Sequence, residues 1–187
     1  VKMRLLELRG LPVAVLIDFV HKHGGILGPA HPCGGKYLSF TNTKRYYKSP
    51  ELFKRFDFIE VFNACESAES NARALKLAQK YKKPGIGGSD AHRPNCVGMG
   101  YTILPERVTC ETELIALIRS KSSVIETGGS LYGKTTKDKM GKADKILTYS
   151  FWFYNKAGTI MRKRKRMLNG KIENPVDPID PIELKYM

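Results

Sequence analysis

Between Phe56 and Gly88 the chain sets three patterns in a row. An apolar run, Phe56-Asp57-Phe58-Ile59-Glu60-Val61-Phe62-Asn63, is followed by strong helix formers from Ser70 to Tyr81 and by a second short apolar run, Pro84 to Gly88. Strand, helix, strand at this spacing is the order of an α/β fold, so the two runs are expected to lie in one sheet with the helix packed across it. Upstream, Leu11 to His23 reads as a helix with Pro12 near its first turn, closed by Gly24 and Gly25 as glycine C-caps. The residues from Gly25 to Ala30 predict a further strand that delivers His31, with Pro32 behind it.

The second apolar run ends in Gly88-Ser89-Asp90-Ala91-His92. In extended backbone residues i and i+2 share a face, so the Asp90 carboxylate and the His92 imidazole project to one side. The glycines before them allow the backbone to come close to a bound ion or phosphate. His31, at the end of its own predicted strand, adds a third ligand type at a strand C-terminal end. Imidazole and carboxylate are the groups that bind divalent ions, and clustered ions both acidify water and offset phosphate charge. His31, Asp90 and His92 are therefore the candidate metal ligands, and the pattern points to metal-assisted phosphoester hydrolysis.

Neighbouring residues have two readings each. Arg93 is placed to grip a substrate phosphate in fork geometry, or to make a surface salt bridge. Glu60 and Asn63, at a strand end between the two ligand runs, line the pocket or cap a turn. Asn71 is expected to cap the helix that follows it. His21 and His23 imitate a His-x-His ligand pair, but on a helix i and i+2 do not share a face, so they read as residues of the helix C-terminus.

The runs GGILGPAHP, FDFIEVFNA, NARALKLAQKYKKPGIGGSDAH and VGMGYTIL, in this order and spacing from about Leu11 to Thr127, resemble the C-terminal half of a PHP domain. This is the polymerase and histidinol phosphatase superfamily of metal-dependent phosphoesterases. The resemblance implies a distorted (β/α) barrel whose strand ends hold two or three Mn, Zn, Fe or Mg ions, with a metal-bound hydroxide attacking phosphorus. It makes His31 a ligand of one ion and gives Asp90 and His92 to its neighbours. It also implies ligands that this chain lacks: PHP domains open with a His-x-His strand, further His and Asp ligands and a bridging Glu, and nothing before His31 supplies them. The expected architecture is thus a partial PHP-type barrel over residues 1–127. The chain is expected to be part of a longer protein, incomplete as a catalyst alone, with a missing N-terminal half or a second copy completing the barrel.

Composition bounds the rest. A length of 187 residues with 42% hydrophobic content suits one soluble core, and no apolar run reaches membrane-spanning length. Cys33, Cys65, Cys96 and Cys110 form no Cys-x-x-Cys, which disfavours a structural zinc site or a disulfide-dense secreted domain and favours a reduced, cytoplasmic setting. Cys33 and Cys96, close to the ligand runs, read as buried thiols.

The net charge of +14 is uneven: from Lys134 to Lys171 twelve Lys or Arg face only Asp138 and Asp144. Residues 128–187 read as a basic aromatic extension. Gly128 to Thr136 marks a flexible junction, Lys145 to Leu168 fits an amphipathic helix or a hairpin turning at Asn155 to Gly158, and prolines 175, 178 and 181 mark an extended tail. Residues 162–166, beside Phe151 to Tyr154, suit nucleic acid, an anionic membrane surface or plain solvation.

Two functions follow as expectations. One is a PHP-type phosphoesterase acting on a phosphorylated small molecule, a nucleotide monophosphate or a short oligonucleotide end. The other is a non-catalytic PHP-like fragment that binds nucleic acid or a protein partner through its basic tail.

Overall fold

The computed structural model describes residues 8, 10–34, 39–120, 126–133 and 142–168. The tail with its prolines lies outside them. Two compact units emerge, one of Val1–Gly24 with Thr135–Met187, the other of Gly25–Lys134. The first 24 residues therefore group with the C-terminal extension, and the second boundary falls after Lys134.

The first unit holds α1 (Val13–Lys22). Pro12 occupies its N-cap, where the missing N–H costs nothing and the fixed φ of −55° leads into the helix. Leu8, Leu11, Val15 and Phe19 bury one apolar stripe, joined by Leu16. Gly24, at a φ of 76°, ends the helix in the left-handed region. His23 completes the cap: its Nδ1 lies 2.8 Å from the Phe19 carbonyl and its ring 4.4 Å from the Phe19 ring. This is the helix-terminal role expected of it.

The second unit contains the expected strand–helix–strand. β1 (Ile59–Asn63), α3 (Ala68–Tyr81) and β2 (Gly85–Gly88) form a βαβ unit in which β1 and β2 pair in parallel. Ser67 caps α3 by accepting from the Ser70 N–H, and Lys82 closes it in left-handed conformation at a φ of 50°. Asn71, expected to be the cap, does something else. Its Oδ1 accepts from the Asn63 N–H at 3.0 Å and its Nδ2 donates to the Asn63 carbonyl at 3.1 Å, as a neighbouring strand would.

An aromatic cluster forms a further part of the core. Phe53, wholly buried, stacks on Tyr81 at 5.3 Å and meets Phe40, Tyr46 and Phe56 edge-on at 5.2 to 5.8 Å. These residues come from α2 (Lys44–Lys48), from the 3₁₀ turns Phe40–Asn42 and Pro50–Arg55 with Phe56 directly after the second, and from the end of α3.

β3 (Gly100–Ile103) pairs antiparallel with β4 (Glu126–Gly129), and α4 (Glu111–Ser120) connects them. Gly128 and Gly129, expected in a flexible junction, are the end of β4. A side chain at Gly129 would fall 2.0 Å from the Met99 carbonyl oxygen, so only glycine admits this close pairing.

The architecture is mixed α/β, as the element order requires, but the described strands form two two-stranded sheets and no closed barrel. The break between β2 and β3 has a local cause. The Thr102 hydroxyl accepts from the Gly87 N–H at 2.9 Å and donates to the Gly87 carbonyl at 2.8 Å, so a side chain takes both groups that a continuous ladder would have used. The strand expected from Gly25 to Ala30 is irregular instead. Asp57 holds it: its Oδ2 accepts from the Leu27 N–H and its own N–H donates to the Leu27 carbonyl, each at 2.8 Å. Pro29, without a donor, prevents pairing from continuing.

Within the basic extension the described residues 142–168 are helical. α5 (Lys142–Leu168) runs without a break through Asn155 to Gly158, so the hairpin alternative is not adopted.

Candidate functional site

The C-terminal ends of β1 and β2 lie side by side, tied by the Ala64 N–H donating to the Gly88 carbonyl at 3.0 Å. Glu60 sits at their centre. Its carboxylate accepts from the His31 backbone N–H at 2.5 Å and from Asn63 Nδ2 at 3.0 Å. It also lies where a Cβ on Gly88 would be 2.8 Å from Oε1, so the glycine makes room for it. Glu60 thus fastens the His31 loop to the strand ends. His31 Nδ1 lies 3.4 Å from Ser39 Oγ.

Asp90 and His92 project from the turn after β2. His92 Nδ1 lies 2.8 Å from the Asp90 carbonyl oxygen. A carbonyl only accepts, so Nδ1 carries a proton, and in the neutral imidazole Nε2 is the nitrogen with the free lone pair. The Asp90 carboxylate is 3.8 Å from the same nitrogen and its side chain is 22% exposed, against 81% for His92.

The turn is held from outside. The Tyr132 hydroxyl reaches the carbonyls of Ser89 and Asp90, each at 2.8 Å, while the Tyr132 N–H donates to the Ala64 carbonyl at 2.9 Å. Burial, then the neighbouring Cys65, push the Tyr132 phenol well above its ordinary range, so it remains a donor at all physiological pH.

Backbone conformation singles out the same residues. Among the described non-glycine residues with positive φ are His31 at 31° and Asp90 at 48°, the third being the helix cap Lys82. Such conformations cost on the order of 1–3 kcal/mol and persist where the surroundings enforce them. Here Glu60 enforces one and Tyr132 the other.

A second layer surrounds His31. Glu66, Ser39 and Asn63 are buried polar residues, and a Cβ on Gly34 would meet Glu66 Oε1 at 2.3 Å and Ser39 Oγ at 2.5 Å. Arg73 donates to the Cys33 carbonyl at 2.9 Å. Burial raises the Cys33 thiol above its usual value, and Cys33, Cys65 and Cys96 are buried free thiols, as read for Cys33 and Cys96.

The structure therefore brings Asp90 and His92 together and joins His31 to Glu60. Among the described residues no group of three or more His, Cys, Asp or Glu is arranged to hold a metal by itself. Arg93 is exposed at the start of the 3₁₀ turn Pro94–Cys96. A surface depression of about 390 Å³ is lined by Val97, Gly98, Met99, Tyr101, Gly129 and Ser130, beside the turn rather than at the ligand residues.

Residues 68–123, less than a third of the chain, match the family model described as PHP-associated. Over these residues the chain is similar to the PHP-associated family. This region runs from the start of α3 through β2, Asp90, His92, β3 and α4, so it contains the Asp-x-His turn but not His31 or Glu60. No curated protein and no solved structure matches the chain.

Sequence reasoning missed Tyr132, Ser39 and Glu66. Tyr132 follows a glycine pair that read as linker, and nothing in its neighbours marks it. Glu66 had one signal, an acidic residue in the loop after a strand end, directly before the Ser67 cap.

Proposed function

We propose that this chain is part of a PHP-type metal-dependent phosphoesterase, with His31, Asp90 and His92 among the ligands of a cluster of two or three divalent ions, Mn, Zn, Fe or Mg. The observation that carries the reading is the Asp90–His92 turn inside the PHP-associated region. With Nδ1 turned to the Asp90 carbonyl, the exposed His92 leaves Nε2 for an ion, which is how ligating histidines are commonly oriented.

The donor set fits hard or borderline divalent ions in type. In number it supplies part of a cluster, so further donors complete it in the whole protein. When bound, the ions would activate water and offset phosphate charge. The chain's own residues do the positioning. Glu60 fixes the His31 backbone, Tyr132 fixes the Asp90 backbone, and the Asp90 carbonyl sets the His92 tautomer. Exposed Arg93, one residue beyond His92, is the group proposed to bind the substrate phosphate, with a nucleotide monophosphate or an oligonucleotide end as the substrate class.

The test is release of p-nitrophenol from p-nitrophenyl phosphate and its diester by the whole protein, with each metal in turn. Metal-dependent release that Asp90→Ala abolishes supports the reading. Release that Asp90→Ala leaves intact, or none with any of the four metals, overturns it.

A further inference from the structure

α5 is amphipathic with its apolar side outward. At about 100° per residue, Leu147, Phe151, Phe153, Tyr154, Ile160 and Met161 fall within one half of the helix circumference. All six are 58 to 74% exposed. The opposite half carries Asn155, Thr159 and Arg162, which are half-buried, and Thr159 lies against Gly10, where a Cβ would approach its Cγ2 to 2.8 Å. Thr159, on the side away from those six residues, thus packs within its own unit. Apart from the small Ala157 and Gly158, the apolar half is exposed at its described residues from Lys142 to Lys165, in a helix of 27 residues, about 40 Å.

Charge indicates what this face meets. α5 contains eight Lys or Arg and one Asp, and the exposed Arg164 and Lys165 project from the apolar half itself. A second copy would set this positive charge against itself. A nucleic acid would use the cations and the aromatic rings but would gain little from Leu147, Ile160 and Met161. The interface of an anionic bilayer takes all of them: aliphatic and aromatic side chains enter the acyl boundary while the cations meet phosphate headgroups. No described helix is long and apolar enough to cross a membrane, which leaves an in-plane pose.

We propose that α5 is an in-plane docking surface for anionic lipid bilayers, burying the Leu147–Phe151–Tyr154 face and holding headgroups with Arg164 and Lys165.

Vesicle flotation of the full chain tests this, using phosphatidylcholine vesicles with and without phosphatidylserine. The expected result is binding to the phosphatidylserine vesicles alone. Arg164→Gln with Lys165→Gln lowers that binding about 30-fold, at about 1 kcal/mol per cation. Leu147→Gln, Phe151→Gln and Tyr154→Gln together abolish it with every charge intact. All five positions are exposed, so circular dichroism is expected to be unchanged. Absence of vesicle binding overturns the proposal, as does binding that survives the apolar variant. Salt-sensitive binding of a single-stranded oligonucleotide without vesicle binding would overturn it in favour of nucleic acid. A dimer dispersed by the apolar variant, again without vesicle binding, would overturn it in favour of self-association.

Discussion

The Tyr132 hydroxyl and the Asp90 carbonyl oxygen lie 2.8 Å apart, and that same oxygen also takes the Nδ1 proton of His92. One phenol therefore holds the left-handed Asp90 in place and, through its carbonyl, the imidazole two residues on. Tyr132→Phe keeps the ring and removes only the hydroxyl. The expected outcome is a loss of about 1–3 kcal/mol, because the Ser89 and Asp90 carbonyls lose a donor, together with mixed tautomers of His92 in nitrogen NMR. A variant as stable as the parent, with His92 still protonated only on Nδ1, would count against the role of the phenol.

The alkaline side offers a separate check on Tyr132. Its folded-state pKa is raised, so its stabilising effect is complete below the ordinary phenol value and is lost as pH rises through the folded value. Ultraviolet titration is expected to show one tyrosine ionising after the others, and Tyr132→Phe removes that last phase.

Phe53 tests the aromatic core. Truncation to alanine leaves a cavity among Phe40, Tyr46, Phe56 and Tyr81 and is expected to cost about 3–5 kcal/mol by denaturant unfolding. A cost under about 1 kcal/mol would mean that the cluster is not packed as described.

Glu113 links α4 to pH. It accepts from the Thr109 N–H at 2.7 Å and from Thr109 Oγ1 at 2.9 Å, and the backbone bond foremost lowers its pKa. A depressed carboxyl pKa stabilises above the unfolded value, and that contribution fades as pH falls through the folded value. Protection of the amides at the start of α4 is therefore expected to fall as pH drops below the ordinary carboxylate range. In Glu113→Gln it is already low at neutral pH and loses this acid dependence.

Much of this was legible in the chain, and where it was not the reasons are local. The strand–helix–strand from Ile59 to Gly88 follows from hydrophobic period and helix formers, which need no tertiary information. The strand expected before His31 failed because Asp57, thirty residues on, captures the Leu27 backbone. Asn71 looked like a cap and is a strand partner, because Ser67 already fills the cap. The break between β2 and β3 depends on one Thr102 rotamer, which no periodicity records. The closeness of Asp90 to His92 was legible because residues two apart in sequence must be close in space. Glu60, Tyr132 and His31 meet the site through long-range contacts, and only the folded chain brings them to one place.

The central claim, that Asp90 and His92 hold a divalent ion, is tested most directly by an equilibrium Mn²⁺ titration of the whole protein beside its Asp90→Ala, His92→Ala double variant. The account predicts saturable binding that weakens at least about tenfold in the variant, since it removes ligands rather than their supports. No saturable binding, or the same affinity in both proteins, would contradict it.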